Sequence, residues 1–201
     1  MKPFRRDTIL LIVTNPVDLL TSLAQRLSGL PSAQVIGTGT LLDSVWLRGI
    51  LADKYDVAAS SIDAMVLGEH CGTRFVCWPS VSIGGIPIDD FATPSVVDKL
   101  KIIQDCKDEG QSIIEEKGAI VFGIAAVVAT LCTSILFDQR RVYPISHMQP
   151  DLGCCLSMPT VLGKSGAENT PTVSLTLIEK EELQQVAVEM NQVLARLLDS
   201  V

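Results

Sequence analysis

"TILLIVTNPVDLLTSLAQRLSGLPSAQVIGTGTLLDS", residues 8–44, decides how the rest of the chain is read. Its first seven residues are a short continuous apolar run, the pattern of a strand covered on both faces. Asn15 can cap a helix and Pro16 suits a first helical turn. Apolar residues then recur at helical spacing until Gly29 stops them. "AQVIG" (33–37) predicts a second strand, and "TGTLLDSVWLRGILADKY" (38–55) a second helix. Strand, helix, strand, helix in succession is the signature of α/β architecture.

Downstream the pattern changes. "AMVLG" (64–68) and "RFVCWPSVSIGG" (74–85) read as strands, the second closing at a Gly-Gly turn. Residues 93–117 predict a charged helix with a break near Gly110. "RRVYPISHM" (140–148) and "CCLSMPTVLG" (154–163) are two further strands. A turn at "KSGAENTP" (164–171), a strand at 172–176 and an amphipathic C-terminal helix from 178 complete the chain. The expected fold class is α/β followed by α+β, without an internal repeat or linker.

The chain has 201 residues, 47% hydrophobic and 19% charged, enough apolar material for a sizeable core. A formal net charge of -7 gives it no electrostatic reason to seek nucleic acid or an anionic membrane surface. Six cysteines and two histidines lack zinc-site spacing, so no metal is expected, and buried thiols in a reducing compartment are the plain reading. The short apolar run after "MKPFRR" has no small-residue cleavage site behind it, so no signal peptide is expected. Residues 118–137, "GAIVFGIAAVVATLCTSILF", carry no charge. They are long enough for a membrane span, and a central helix buried on all sides accounts for them equally well.

Two short motifs carry little. "GTGTLL" (37–42) starts like a dinucleotide loop but lacks the third glycine, and "LGKSG" (162–166) lacks the earlier glycine of a phosphate loop. "VLGEHCGTRF" (66–75) carries more. His70 follows a strand end, where open α/β sheets place their sites, and Asp43 begins a helix elsewhere. A histidine oriented by a carboxylate is a general acid/base; a lone histidine is more often structural.

Taken together, "ILLIVTNPVDLLTSLAQRLSGLPSAQVIGTGTLLDS", "VLGEHCGT", "KGAIVFGIA", "RRVYPIS" and "MPTVLGKSG" closely resemble the lactate/malate dehydrogenase family, lactate dehydrogenases above all. The family patterns are V-[ST]-N-P-V-D, V-I-G-[ST]-G-T-x-L-D-[ST]-x-R and G-E-H-G-D-[ST], and they occur here in order over nearly the whole chain. The resemblance implies residues 1–40 as the last two strands of a Rossmann-type NAD-binding domain and residues 41–201 as the C-terminal catalytic domain. In that frame residues 118–137 are the long helix through the middle of the catalytic domain, not a membrane span.

The resemblance also implies roles. His70 is placed as the proton donor and acceptor, and Asp43 as the carboxylate that orients it. Asn15 would contact both nicotinamide and substrate, with Val13 and Thr14 beside the cofactor. The implied reaction moves hydride between NAD and a 2-hydroxy acid of the L-lactate type, in a cytoplasmic homo-oligomer.

Departures from the family pattern share a direction. Trp46 stands where the family's substrate-carboxylate arginine belongs, and Ile120 where its threonine does. "GEHGD" has become "GEHCG". An indole offers one N–H and no charge in place of a guanidinium fork. Arg48, two residues along a helix and so about 200° around it, faces nearly opposite. The family's G-x-G-x-x-G unit and its mobile arginine loop have no match, so the chain is expected to be truncated at its N-terminus and impaired in the family reaction. A non-enzymatic assembly module, an enzyme for a substrate without a carboxylate, and an incomplete gene model are the alternatives.

Overall fold

A computed structural model describes residues 4–91 and 98–199. β1 (Leu10–Ile12) and β2 (Val35–Gly37) lie parallel, Leu10 opposite Val35 and Ile12 opposite Gly37. Parallel neighbours need a crossover, and α1 (Val17–Ser28) supplies it, ending at Gly29 in the left-handed conformation that glycine adopts without strain. Asn15 does not cap this helix. Pro16 occupies the cap position without a side-chain hydrogen bond, leaving the Asn15 amide free of the helix end. β1 is only half-buried, not covered on both faces, because it forms a sheet edge.

The sheet is organised around a long antiparallel hairpin, β8 (Arg141–Gln149) and β9 (Cys154–Gly163), paired from Arg141–Leu162 to Gln149–Cys154. β2 joins β8 through Gly37 and Ser146, and β4 (Val66–Gly68) joins β9 through Gly68 and Ser157. β5 (Arg74–Val76) continues beyond β4. A small separate sheet holds β3 (Ile62–Asp63), β6 (Ser82–Ile83) and β7 (Ile86–Pro87). The parallel βαβ start followed by antiparallel strands and helices is the expected α/β then α+β fold. The run 74–85 is two strands in two sheets rather than one. A turn at Trp78–Ser80 divides it, because Pro79 has no N–H to give a ladder.

Two helices differ from expectation. α2 (Leu41–Tyr55) runs as expected, but α3 (Lys99–Lys117) passes through Gly110 without a break; residues 93–97 of the expected helix lie outside the described residues. Gly110 is a packing site: a Cβ there would stand 3.0 Å from Cη2 of Trp46. α4 (Val121–Leu136) is not buried on all sides. Leu131 is fully buried, whereas Phe122 is 91% exposed, with Leu136 and Phe137 also in solvent. No described helix is long and apolar enough to cross a membrane.

At the C-terminal end the strand expected at 172–176 is absent. Its alternation is real, since Val173 and Leu175 pack on a core cluster, but the segment joins no ladder. The ladder strand is β10 (Gly166–Asn169), inside the expected turn and antiparallel to β9. Thr176 instead caps α5 (Leu177–Leu198) in a reciprocal pair with Glu179.

Apolar faces of α2 and α4 pack on β2 and β8 around Ile36, Leu131, Ile145 and Leu162. α1 and α5 pack near β9 around Leu156, Leu183 and Leu194. Leu47, Leu51 and Ile102 form a third cluster between α2 and α3. Two glycines test this packing with opposite signs. A Cβ at Gly37 would press on Thr21 Oγ1, Val17 Cγ2 and Ser146 Cβ, whereas one at Gly49, inside α2, meets nothing within 4 Å. In urea unfolding, Gly37→Ala is expected to lose about 1–3 kcal/mol by overpacking. Gly49→Ala is expected to gain about 1 kcal/mol of helix propensity. Equal effects of the same sign would contradict this packing.

Candidate functional site

The first turn of α2 is bolted to β4. The Thr40 hydroxyl donates to the Val66 carbonyl, and the Ser44 hydroxyl accepts the Val66 N–H at 2.9 Å. β4 then turns at Gly68 into a five-residue loop, closed by the Glu69 N–H on the Thr73 carbonyl at 2.9 Å, and His70 stands on that loop. These two fixings bring residues 27 positions apart together: His70 Nδ1 lies 2.7 Å from Asp43 Oδ2. With Nδ1 engaged by the carboxylate, Nε2 is the nitrogen left to exchange a proton.

Asp43 is 1% exposed and has a second partner, the Arg74 guanidinium. Arg74 is placed by the hairpin register, directly opposite Gly68. Behind the loop, buried Asp18 accepts the His70 backbone N–H at 2.8 Å and the Ser157 hydroxyl at 3.0 Å. Burial drives the Asp18 carboxyl up from its ordinary range, and Ser146, the His70 N–H and Ser157 pull it partly back. Sequence reading alone missed Asp18 and Arg74 as parts of this arrangement. Asp18 gave a weak signal as the acid inside "NPVD"; Arg74 gave none, since only the hairpin register shows its approach.

His70 also lines a cavity of about 380 Å³. Val13, Asn15, Thr38 and Gly39 line it just after β1 and β2, Leu42 and Trp46 come from α2, and Gly118, Ala119, Ile120, Val121 and Ile124 come from the α3–α4 junction. Asn15, Trp46, Ile120 and Val13 therefore share one space with His70, while Thr14 is exposed and outside the lining. Asp43 stands behind His70 rather than in the cavity. Arg48 faces a different hollow, with Asp63, Arg141 and Tyr143.

The second histidine is not part of this site. His147 is 5% exposed between Thr160, Thr170 and Gln149, and burial lowers its pKa. For His70, burial also opposes the charge, but the hydrogen bond and charge of Asp43 outweigh it and raise the pKa. The signs give opposite pH dependences. The His70 contribution to stability is full below about pH 6.5 and fades as pH rises through its raised folded value. The lowered folded value of His147 means that stability is lost as pH falls below about 6.5 toward that value. An NMR titration is expected to show one imidazole titrating above the ordinary value and one below. Two imidazoles titrating below it would contradict the Asp43 pairing.

With this geometry in hand, comparison with known proteins places the chain. The family model for the lactate/malate dehydrogenase alpha/beta C-terminal domain matches residues 40–200. Among similar proteins, L-lactate dehydrogenase A of Rhizopus oryzae is 42% identical over 90% of this chain and 56% of its own length. The L-lactate dehydrogenase of Thermus aquaticus is 38% identical over 90% of this chain and 61% of its own length. That of Lacticaseibacillus casei is 37% identical over 92% of this chain and 60% of its own length. The chain thus spans somewhat over half the length of these relatives. A match across four-fifths of its residues, ordered as the sequence motifs are, makes this chain a member of the lactate/malate dehydrogenase family.

Proposed function

We propose that the chain carries the proton-transfer side of an oxidoreductase site that interconverts a hydroxyl and a carbonyl group. The observation that carries this reading is the His70–Asp43 pair, 2.7 Å apart, with His70 on the wall of a cavity large enough for a small organic substrate. His70 would take the proton from a substrate hydroxyl, or return it to a carbonyl oxygen. Asp43 would hold the ring in one orientation and favour its charged form. Asn15, which lines the same cavity, can donate to the substrate oxygen.

The cofactor of this reading is NAD, by likeness to the L-lactate dehydrogenases. The cavity lining fits its nicotinamide end: Val13 offers an apolar side chain to a ring face, and the free Asn15 amide can both donate to and accept from a carboxamide. Bound there, the dinucleotide would accept or supply the hydride. On this proposal residues 1–40 present the cofactor side and residues 41–201 the substrate side. A 2-hydroxy or 2-oxo acid is the substrate class of the named relatives. Lactate and pyruvate are expected to turn over poorly here, because no arginine or lysine is among the described residues lining the cavity.

A second reading, an assembly module forming a homo-oligomer, is favoured by the solvent-facing Phe122, Leu136 and Phe137 of α4 and its end. One experiment separates the two. NADH oxidation is followed with a panel of ketones and 2-oxo acids, for the natural chain and for His70→Asn, with its mass in solution measured alongside. Loss of the imidazole is expected to lower turnover by about a hundredfold or more. Unchanged activity in His70→Asn, or no turnover from an oligomeric chain, would overturn the redox reading and leave assembly.

A further inference from the structure

The cavity beside His70 is unlike a site for a doubly polar acid. Apart from His70, no ionisable side chain is among the described residues that line it. Its apolar wall is built of Leu42, Trp46, Ile114, Ile120, Ile124 and Val127, most of them in one packed cluster. The cation nearest in sequence to His70 and the one nearest to Trp46 are both committed elsewhere. Arg74 is held by Asp43, and Arg48 faces another hollow with Asp63 and Arg141.

Trp46 is a fixed wall. Its benzo edge lies over Gly110, where a Cβ would stand 3.0 Å from Cη2 and 3.1 Å from Cζ3. That same point is 3.8 Å from Cδ1 of Ile120, so the indole and Ile120 both close on the α3 backbone at Gly110. Trp46, Ile120 and Ile124 also pack on the cluster that holds buried Leu131 and Ile145. A carboxylate placed against this wall would lose its water and find no counter-charge among the described side chains that form it, whereas an alkyl or aryl group would gain by burial.

We propose that the Trp46 end of this cavity receives an uncharged apolar group, so that its ligands are secondary alcohols and ketones with an aryl or alkyl substituent where a 2-hydroxy acid has its carboxylate. The proposal rests on the oxidoreductase reading of the same site. In the oxidative direction the carbinol carbon gives hydride to an oxidised nicotinamide dinucleotide and the hydroxyl gives its proton to His70 Nε2. The C–O single bond becomes C=O. Asn15 and His70 serve the oxygen, and the Trp46 wall serves the substituent.

The test uses two probes with one skeleton, acetophenone and phenylglyoxylate, the second carrying a carboxylate in place of the methyl group. Each is titrated into the chain at pH 8 without cofactor, and the Trp46 indole N–H resonance is followed by NMR. Trp78, in another cluster beneath Lys99, is the internal control. Acetophenone is expected to bind at least about tenfold more tightly, about 1.4 kcal/mol. Trp46→Arg should reverse the order, while Trp46→Phe should preserve it. Gly110→Ala, which displaces the indole from outside the cavity lining, should weaken acetophenone and leave the fold intact by circular dichroism. Equal or tighter binding of phenylglyoxylate, or no Trp46 response to acetophenone, overturns the proposal. Because no cofactor is present, failure of the NADH assay with this preference intact would remove the redox reading alone. A carboxylate preference would remove only the ligand class.

Discussion

The Asp43 carboxylate is the constraint on which the rest of the site depends. A carboxylate removed from water is tolerable only against opposite charge and with its oxygens hydrogen-bonded. Asp43 meets that requirement with two partners from one hairpin, His70 on its loop and Arg74 on its second strand. The arrangement holds only if the first turn of α2 stays against β4, which Thr40 and Ser44 secure through the two backbone groups of Val66. The hairpin in turn is tied to the central strands through Gly68 and Ser157, and to α1 through Asp18. A catalytic-looking pair is thus also a structural junction among α1, α2, β4, β5 and β9.

Polar character in this region is concentrated behind His70, and apolar character in front of it. Asp18 pairs with Ser157 and Asp43 with Arg74, none of them in the cavity lining, and they set the position and charge of the imidazole from behind. What faces a ligand is the ring, Asn15 and a wall of Trp46 and branched aliphatics. Such a division suits a proton exchange at one oxygen and selectivity by shape and desolvation at the adjoining carbon. It does not suit the bidentate grip on a carboxylate that an arginine would give.

How far the sequence reached depended on the range of each interaction. Local signals were legible. Gly29 ends α1, the Val35–Gly37 run is a buried strand, and the amphipathic C-terminal stretch is α5. Family motifs then placed His70 and Asp43 as partners, which spacing alone could not do. What remained hidden was set by neighbours distant in sequence. Gly110 reads as a helix break until Trp46 is seen lying on it. The run 172–176 alternates like a strand but has no ladder to join, and α4 is apolar on a face left in solvent. Arg74 was invisible because hairpin register, not sequence spacing, brings it to Asp43.

His70 is held by Asp43 at Nδ1, which leaves Nε2 for the cavity. Nitrogen-15 chemical shifts of the His70 ring, taken well above its titration midpoint, report the neutral tautomer directly. The Asp43 pairing requires the proton on Nδ1, bonded to the carboxylate, with Nε2 unprotonated. A neutral ring carrying its proton on Nε2 would contradict it, since Nδ1 could then give Asp43 no hydrogen bond and Nε2 could accept no proton.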